Sequence, residues 1–310
     1  MLSFAHYPTS PLVVLAAVLL DRLLGEPARW HPLVGFGRLA NVLEARCNRP
    51  CRQRRQRLVG AVAVAVLIAP ACFAAAWLSA QPWGLLCDVL LLYSAIGARS
   101  LAQHAEAVAA ALRRDDLPSA RHRVGRMVSR NTADLPETGI ARATVESVLE
   151  NGSDAVFGAL FWFVVLGAPG AVLFRLANTL DAMWGYRTVR FLHFGWAAAR
   201  LDDVLGYIPA RLTALSYALL GNFRRGIACW MKQARHWYSP NAGPVMAAGA
   251  GALQLTLGGV AQYHGAMKQR PILGEGNSPA SADIERAVAL VQRSLILWVV
   301  IIFLGGWFLA

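Results

Sequence analysis

The run from Leu58 to Leu78 contains no charged residue. A helix needs about 20 mostly apolar residues to cross the hydrocarbon core of a bilayer, and this run is of that length. It follows the segment Ala45–Arg57, which holds Arg46, Arg49, Arg52, Arg54, Arg55 and Arg57 and no acid. Short cytoplasmic loops collect Lys and Arg, so this pairing places the arginine segment inside and the apolar run across the membrane. The rest of the chain agrees: 56% of its residues are hydrophobic and 15% charged, against roughly 25% charged in soluble domains.

Further spans are read at Pro8–Leu24, Trp83–Ile96 and Leu295–Leu309. The reading is an all-α, polytopic integral membrane protein with about four full spans, re-entrant or embedded helices and a cytoplasmic-side helical region. One membrane-embedded unit covers 1–310: N-terminal spans in 1–98, a cytoplasmic-side catalytic region with embedded helices in 99–293, and the last span in 294–310. Both termini are expected outside. The first eleven residues lack Lys and Arg, so the N-terminal apolar run reads as a retained helix and not a secretory signal.

Within the middle region, Arg99–Asn151 mixes charge signs and reads as soluble helices broken near Asp115-Asp116-Leu117-Pro118. Ala155–Leu180 is apolar but is cut by Gly167-Ala-Pro-Gly170. Each half is about 12 residues, or some 18 Å of helix, which suits a re-entrant hairpin. Val204–Leu220 and Pro244–Val260 read as embedded or buried helices.

The net charge is +12, and no acid lies between Asp203 and Glu275. Two readings stand: the positive-inside rule, and an anionic substrate or lipid surface. No nucleic-acid-binding motif accompanies the basic residues. The five cysteines include no Cys-x-x-Cys pair, so neither a disulfide framework nor a zinc site is expected.

Three polar clusters stand out. In the first, Asp134-Leu-Pro-Glu137 suits a helix start. Glu146, Glu150 and Asp154 follow at i, i+4 and i+8 on one helical face, and like charges at that spacing repel. Arg142 offers part of the compensation. A bound cation, a substrate amine or distant arginines would supply the rest, and a solvated acidic face is the bland alternative. The second cluster holds Asn178, Asp181, Tyr186, Arg187, Arg200, Asp202, Asp203 and Arg211. Adjacent carboxylates suit Mg²⁺, while an internal network of Asp202 and Asp203 with Arg200 and Arg211 is the structural alternative. The third, Ser239-Pro-Asn-Ala-Gly243, is a turn in which Asn241 is able to cap the next helix. The aromatic residues around these clusters, among them Trp184, Trp237 and Tyr238, suit either interface anchors or flat walls for a ligand.

These runs resemble the adenosylcobinamide-phosphate synthase family of cobalamin biosynthesis. The similarity is carried by Asp21-Arg-Leu-Leu-Gly-Glu-Pro27 with Trp30-His-Pro32; by Ser129-Arg-Asn-Thr132 and Glu146–Asp154; and by Asn178-Thr-Leu-Asp-Ala-Met-Trp-Gly-Tyr-Arg187. It continues through Phe194-Gly-Trp196, Ala199-Arg-Leu-Asp-Asp203, Tyr207-Ile-Pro-Ala-Arg-Leu-Thr213, Ser239–Gly243, Tyr263-His-Gly265 and Pro271-Ile-Leu-Gly274. Asn131 stands where the family usually has Asp.

The resemblance implies ATP- and Mg²⁺-dependent amide formation between a propionate of adenosylcobyric acid and (R)-1-amino-2-propanol or its O-phosphate. It implies catalytic Glu150, Asp154, Asp181, Asp202 and Asp203, with Asp202, Asp203 and Glu150 as metal ligands. Arg130, Asn151, Asn178, Tyr186, Arg187, Arg200, Arg211 and Asn241 are the implied substrate contacts. The implied setting is the bacterial inner membrane, with the active site facing the cytoplasm among lipid and other late-pathway membrane enzymes. The alternatives are a membrane corrinoid carrier and a non-catalytic sensor or scaffold. ATP consumption coupled to amide formation separates the enzyme from both.

Overall fold

The computed structural model describes residues 10–26, 31–49, 52–263 and 266–309. Pro8, Pro27, Trp30, His264 and Gly265, named in the readings above, lie outside them, as does Cys51, one of the five cysteines. In chain order the helices are α1 (Ser10–Leu24), α2 (Pro32–Cys47), α3 (Gln53–Ser79), α4 (Gly84–Ala95), α5 (Ala98–Leu112) and α6 (Leu117–Val124). They continue as α7 (Glu137–Gly152), α8 (Gly158–Leu166), α9 (Ala168–Trp184), α10 (Trp196–Leu220), α11 (Phe223–Gln233), α12 (Ala242–Leu253) and α13 (Ser281–Leu309). A π turn, Ser153–Phe157, lies between α7 and α8. Two strands, β1 (Leu257–Tyr263) and β2 (Ala266–Leu273), precede α13.

Among the described residues, four helical runs are long and apolar enough to cross a membrane: Gln53–Ser79, Gly84–Leu112, Glu137–Leu166 and Ser281–Phe308. Three contain the spans read near Leu58, Trp83 and Leu295. The N-terminal one is different. Its described part, helix α1, has 15 residues, about 22 Å at 1.5 Å per residue, and the span's first two residues, Pro8 and Thr9, lie outside the described residues. The fourth long run is Glu137–Leu166, which the sequence reading divided between a soluble region and a hairpin arm. Its charges hid it, and more than half of its apolar window is buried inside the protein.

The chain forms two compact units. The first comprises Met1–Gly97, Asp154–Gly206 and Val299–Ala310; the second comprises Ala98–Ser153 and Tyr207–Trp298.

In the first unit, α8 and α9 form the hairpin read at the Gly-Ala-Pro-Gly break. Gly167 takes φ +69° and ends α8, a left-handed conformation that glycine adopts without Cβ strain. The arms close because Gly158 lies under the Phe174 ring and Gly170 against the Trp162 carbonyl. The arms are unequal where the reading had about 12 residues in each: α8 has 9 and α9 has 17. Helix α2 is tied to the α9–α10 connection by Glu44, which is 4% exposed. Its carboxylate accepts from Arg190 Nε at 2.9 Å and from Nη2, and from Asn48 at 2.7 Å.

In the second unit, α5 and α6 are separated at 113–116, the break expected from Asp115-Asp116-Leu117-Pro118. Helix α12 is buried at every position, and its small residues admit close neighbours, as where Gly251 meets the Arg225 carbonyl of α11. The helix read over Pro244–Val260 stops early. Gln254 takes the left-handed conformation at φ 60°, and Gly258 and Gly259 have φ of +82° and +76°. Consecutive residues at positive φ cannot propagate a right-handed helix. The chain instead enters an antiparallel hairpin in which Gly259 pairs with Arg270 and Ala261 with Lys268.

Candidate active site

The first unit assembles a carboxylate cluster from α9 and α10. Asn178 Nδ2 donates to Asp202 Oδ1 at 3.2 Å, and Arg200 Nη1 donates to Asp203 Oδ2 at 3.1 Å. Asp181 sits three residues beyond Asn178 at the C-terminal end of α9, its carboxylate folded over Gly185, where a Cβ would overlap it. Burial, with the nearby Asp203 charge second, pushes the Asp181 carboxyl from 3.8 up to about 6. The Asp203 carboxyl is also raised, by burial, against the opposing pull of Arg200 and Arg187. Tyr186 is exposed on the loop after α9. The network expected of Asp202, Asp203, Arg200 and Arg211 is thus realised for Arg200 with Asp203, while Arg211 has other work in the second unit.

Two half-buried carboxylates that repel one another are a place where a cation lowers the energy. Mg²⁺ usually takes one or two carboxylates and completes its octahedron with water and phosphate oxygens. Asp181 and Asp203 fit that partial role. Among the described residues no three His, Cys, Asp or Glu side chains gather as a metal site. Of the expected metal ligands, Asp202 and Asp203 belong to the first unit and Glu150 to the second.

Asp154 is the second residue of the π turn and lies in electrostatic range of Arg175 of α9. Single π turns inside α-helices recur at functional sites. Glu146 and Glu150 lie on α7, while Asp154 lies in the turn that follows it.

The second unit contains a cleft of about 300 Å³ whose lining includes Arg130, Glu146, Glu150, Asn151, Trp237 and Lys268. Glu146, 2% exposed, is its frame. It accepts from Arg270 Nη1 at 2.8 Å and Nη2 at 3.1 Å, from the Gly258 N–H at 2.8 Å, and from Arg130 Nη2. Arg142, the compensating partner expected from i, i+4 spacing, is not among these. Its Nε is buried without a hydrogen bond. The arginines that neutralise Glu146 come from the loop before α7 and from β2, because a buried carboxylate takes the cations that tertiary folding brings to it. Glu150 and Asn151 line the same cleft, with Asn151 Nδ2 donating to the Ser147 carbonyl at 2.9 Å.

Arg211 Nη1 donates to Asn241 Oδ1 at 3.1 Å, and Nη2 to the Pro240 carbonyl at 3.0 Å. Its guanidinium lies 3.4 Å from the centre of the Tyr207 ring. Arg211 therefore clamps the turn before α12. Asn241 receives this bond and does not cap the helix; Ser239 Oγ accepts from the Ala242 N–H at 3.1 Å instead.

Sequence reasoning gave Arg270 and Lys268 no site role, placed Glu146 only in its acidic stripe, and left Trp237 and Tyr238 as either interface anchors or flat walls for a ligand. Arg270 and Lys268 had only the acid-free basic stretch as a signal, since the hairpin that carries them was read in part as helix.

These features define a polytopic, predominantly helical membrane protein with a carboxylate cluster in one unit and a cationic, aromatic-walled cleft in the other. Residues 14–291 match the CobD/Cbib protein family, and the chain belongs to that family. A relative named cobalamin biosynthesis protein CobD from Chromobacterium violaceum is 63% identical over 93% of this chain and 94% of its own length. The proteins of that name from Stutzerimonas stutzeri and Mycobacterium tuberculosis are 57% identical over 96% of this chain and 40% identical over 92% of it; the matches cover 99% and 92% of those relatives. No solved structure matches the chain.

Proposed function

We propose that the chain works in cobalamin biosynthesis as an ATP-dependent amide-forming ligase of the bacterial inner membrane. It joins (R)-1-amino-2-propanol or its O-phosphate to a propionate carboxylate of adenosylcobyric acid. The observation that carries the reading is the 63% identity, over 93% of the chain, to a protein named for cobalamin biosynthesis.

A carboxylate does not accept an amine until one of its oxygens becomes a leaving group. Mg-ATP supplies that activation by phosphorylating the carboxylate with loss of ADP. The amine then attacks the acyl carbon, inorganic phosphate departs, and the nitrogen gives up a proton. In this reading Asp181 and Asp203 hold the cation or position the amine, and Asn178 orients Asp202 beside them. Asp181, with its carboxyl near pH 6, is suited to take the amine proton at neutral pH. Glu150 and Asn151 face ligand in the second unit's cleft, and Arg187 and Arg200 attract phosphate or carboxylate.

Protein in lipid nanodiscs, given adenosylcobyric acid, Mg-ATP and either amine, is expected to form a corrinoid heavier by the aminopropanol unit, detected by mass spectrometry and only when ATP is present. Asp202→Ala and Arg211→Ala are expected to lose turnover while remaining in the membrane. Near-normal activity in Asp202→Ala would remove the carboxylate cluster from the mechanism. Saturable corrinoid binding without product would favour a carrier or sensor.

A further inference from the structure

The cleft of the second unit has a donor arrangement that the residues around it do not use up. Arg130 has a side chain only 8% exposed and lines the cleft. Of its five N–H donors, the hydrogen bond seen is from Nη2 to Glu146. Its Nε and Nη1 are not among the buried atoms left without a partner, and the residue lines the cleft.

Lys268, on β2, stands at the same cleft. Its Nζ lies 3.9 Å from the centre of the Tyr238 ring, and no carboxylate is within ion-pair distance among the described residues. The Tyr238 hydroxyl donates to the Gln269 carbonyl at 3.0 Å, which fixes the ring that carries the lysine. Arg270 lies 5.6 Å from the Trp237 ring centre and is held by Glu146 and by the Gly258 and Gly259 carbonyls. The cleft is therefore a rigid frame of Glu146 and Arg270 that presents Arg130 and Lys268, with two aromatic faces as its wall.

We propose that this cleft is a binding site for a terminal phosphate group, with Arg130 and Lys268 as its donors and Glu146 as the residue that positions Arg130. A fork of N–H donors beside an ammonium matches the tetrahedral oxygens of a phosphate dianion. The volume of about 300 Å³ admits a small phosphate ester or the phosphate end of a nucleotide. The proposal deepens the ligase reading, which requires a phosphate-bearing ligand, by giving that ligand a place.

The test is binding to the full chain in nanodiscs of neutral lipid, without any corrinoid. The probes are O-phosphoethanolamine and the magnesium complex of a non-hydrolysable ATP analogue, followed by phosphorus NMR and calorimetry. At least one probe is expected to bind saturably. Lys268→Glu is expected to weaken it roughly 10- to 100-fold, the worth of a charge-assisted hydrogen bond, with unfolding temperature unchanged because Lys268 is exposed. Lys268→Arg is expected to bind within a few-fold of the parent. The probe that responds identifies the source of the phosphate. Binding of both probes unaltered by Lys268→Glu, or saturation by neither, overturns the site. Lys268-dependent binding without amide product leaves the site standing and removes the ligase reading. Normal product formation with unaltered binding in Lys268→Glu does the reverse.

Discussion

Replacing Glu146 by alanine removes one carboxylate and the acceptor of four hydrogen bonds from three residues. Arg270 and Arg130 have side chains 4% and 8% exposed, and the Gly258 N–H points at the same carboxylate from 2.8 Å. Breaking a buried ion pair by deleting one partner costs about 3–5 kcal/mol, because the surviving charge is left without compensation. The orphaned N–H adds roughly 1 kcal/mol or more. For a unit of this size each kcal/mol moves the melting temperature by about 2–4 °C, so a fall on the order of 10 °C is expected. Thermal unfolding of purified protein in detergent, followed by tryptophan fluorescence or thiol labelling, measures it.

The control is Arg113→Ala. It removes an ion pair with Glu285 in which both side chains are about half exposed, and it is expected to cost under about 1 kcal/mol. Adding Arg270→Met to Glu146→Ala is expected to cost less than Arg270→Met alone, since the two residues share one network. Equal melting temperatures for Glu146→Ala and Arg113→Ala, or strictly additive losses in the double variant, would refute the account of Glu146 as the frame of the cleft.

Asp181 makes stability depend on pH in a defined direction. Its folded-state carboxyl lies near 6, above its ordinary 3.8, so its contribution is fully present below about pH 4 and is lost as pH rises through 6. Asp181→Asn is therefore expected to melt higher than the parent at pH 7.5, by at most about 3 kcal/mol, and to converge with it near pH 4. In the same variant, turnover is expected to vanish, and the parent's rate is expected to fall as pH drops through 6; a flat profile from pH 5 to 8 would remove Asp181 from the reaction. Gly158→Ala would drive a Cβ into the Phe174 ring and is expected to destabilise the α8–α9 hairpin by about 1–3 kcal/mol, read as a lower melting temperature. Gly305→Ala, with nothing within 4 Å of the new Cβ, is expected to be neutral or to stabilise α13 by up to about 1 kcal/mol. Arg211→Lys keeps the charge but loses the fork that grips Pro240 and Asn241, so increased proteolysis at the Ser239–Gly243 turn is expected.

Much of the architecture was legible because the signals are local. The charge-free run within α3 and the arginines before it mark a span at sight, and Gly167-Ala-Pro-Gly170 marks a hairpin turn because only glycine adopts φ +69° freely. Pro136 and Glu137 placed the start of α7 within a residue. The clustering of Asn178, Asp181, Arg200, Asp202 and Asp203 was legible for a similar reason, since two helices joined by a short loop keep near neighbours together.

What the sequence did not disclose was which charges meet across long separations. Periodicity pointed Glu146 to Arg142, four residues away. The structure gives it Arg270, 124 residues away, because pairing in a dry interior is set by which cations the fold delivers and not by helical spacing. The same blindness divided Glu137–Leu166, a helical run long and apolar enough to cross a membrane and more than half buried over its apolar window. It also hid the β hairpin, whose start after α12 was taken for more of an apolar helix. The sequence by itself determined where the chain is greasy, where it turns and which residue types are at hand. Tertiary structure alone decided that Arg130, Glu146, Lys268, Arg270, Trp237 and Tyr238 form one cleft, because the cost of burying charge is met only by three-dimensional neighbours.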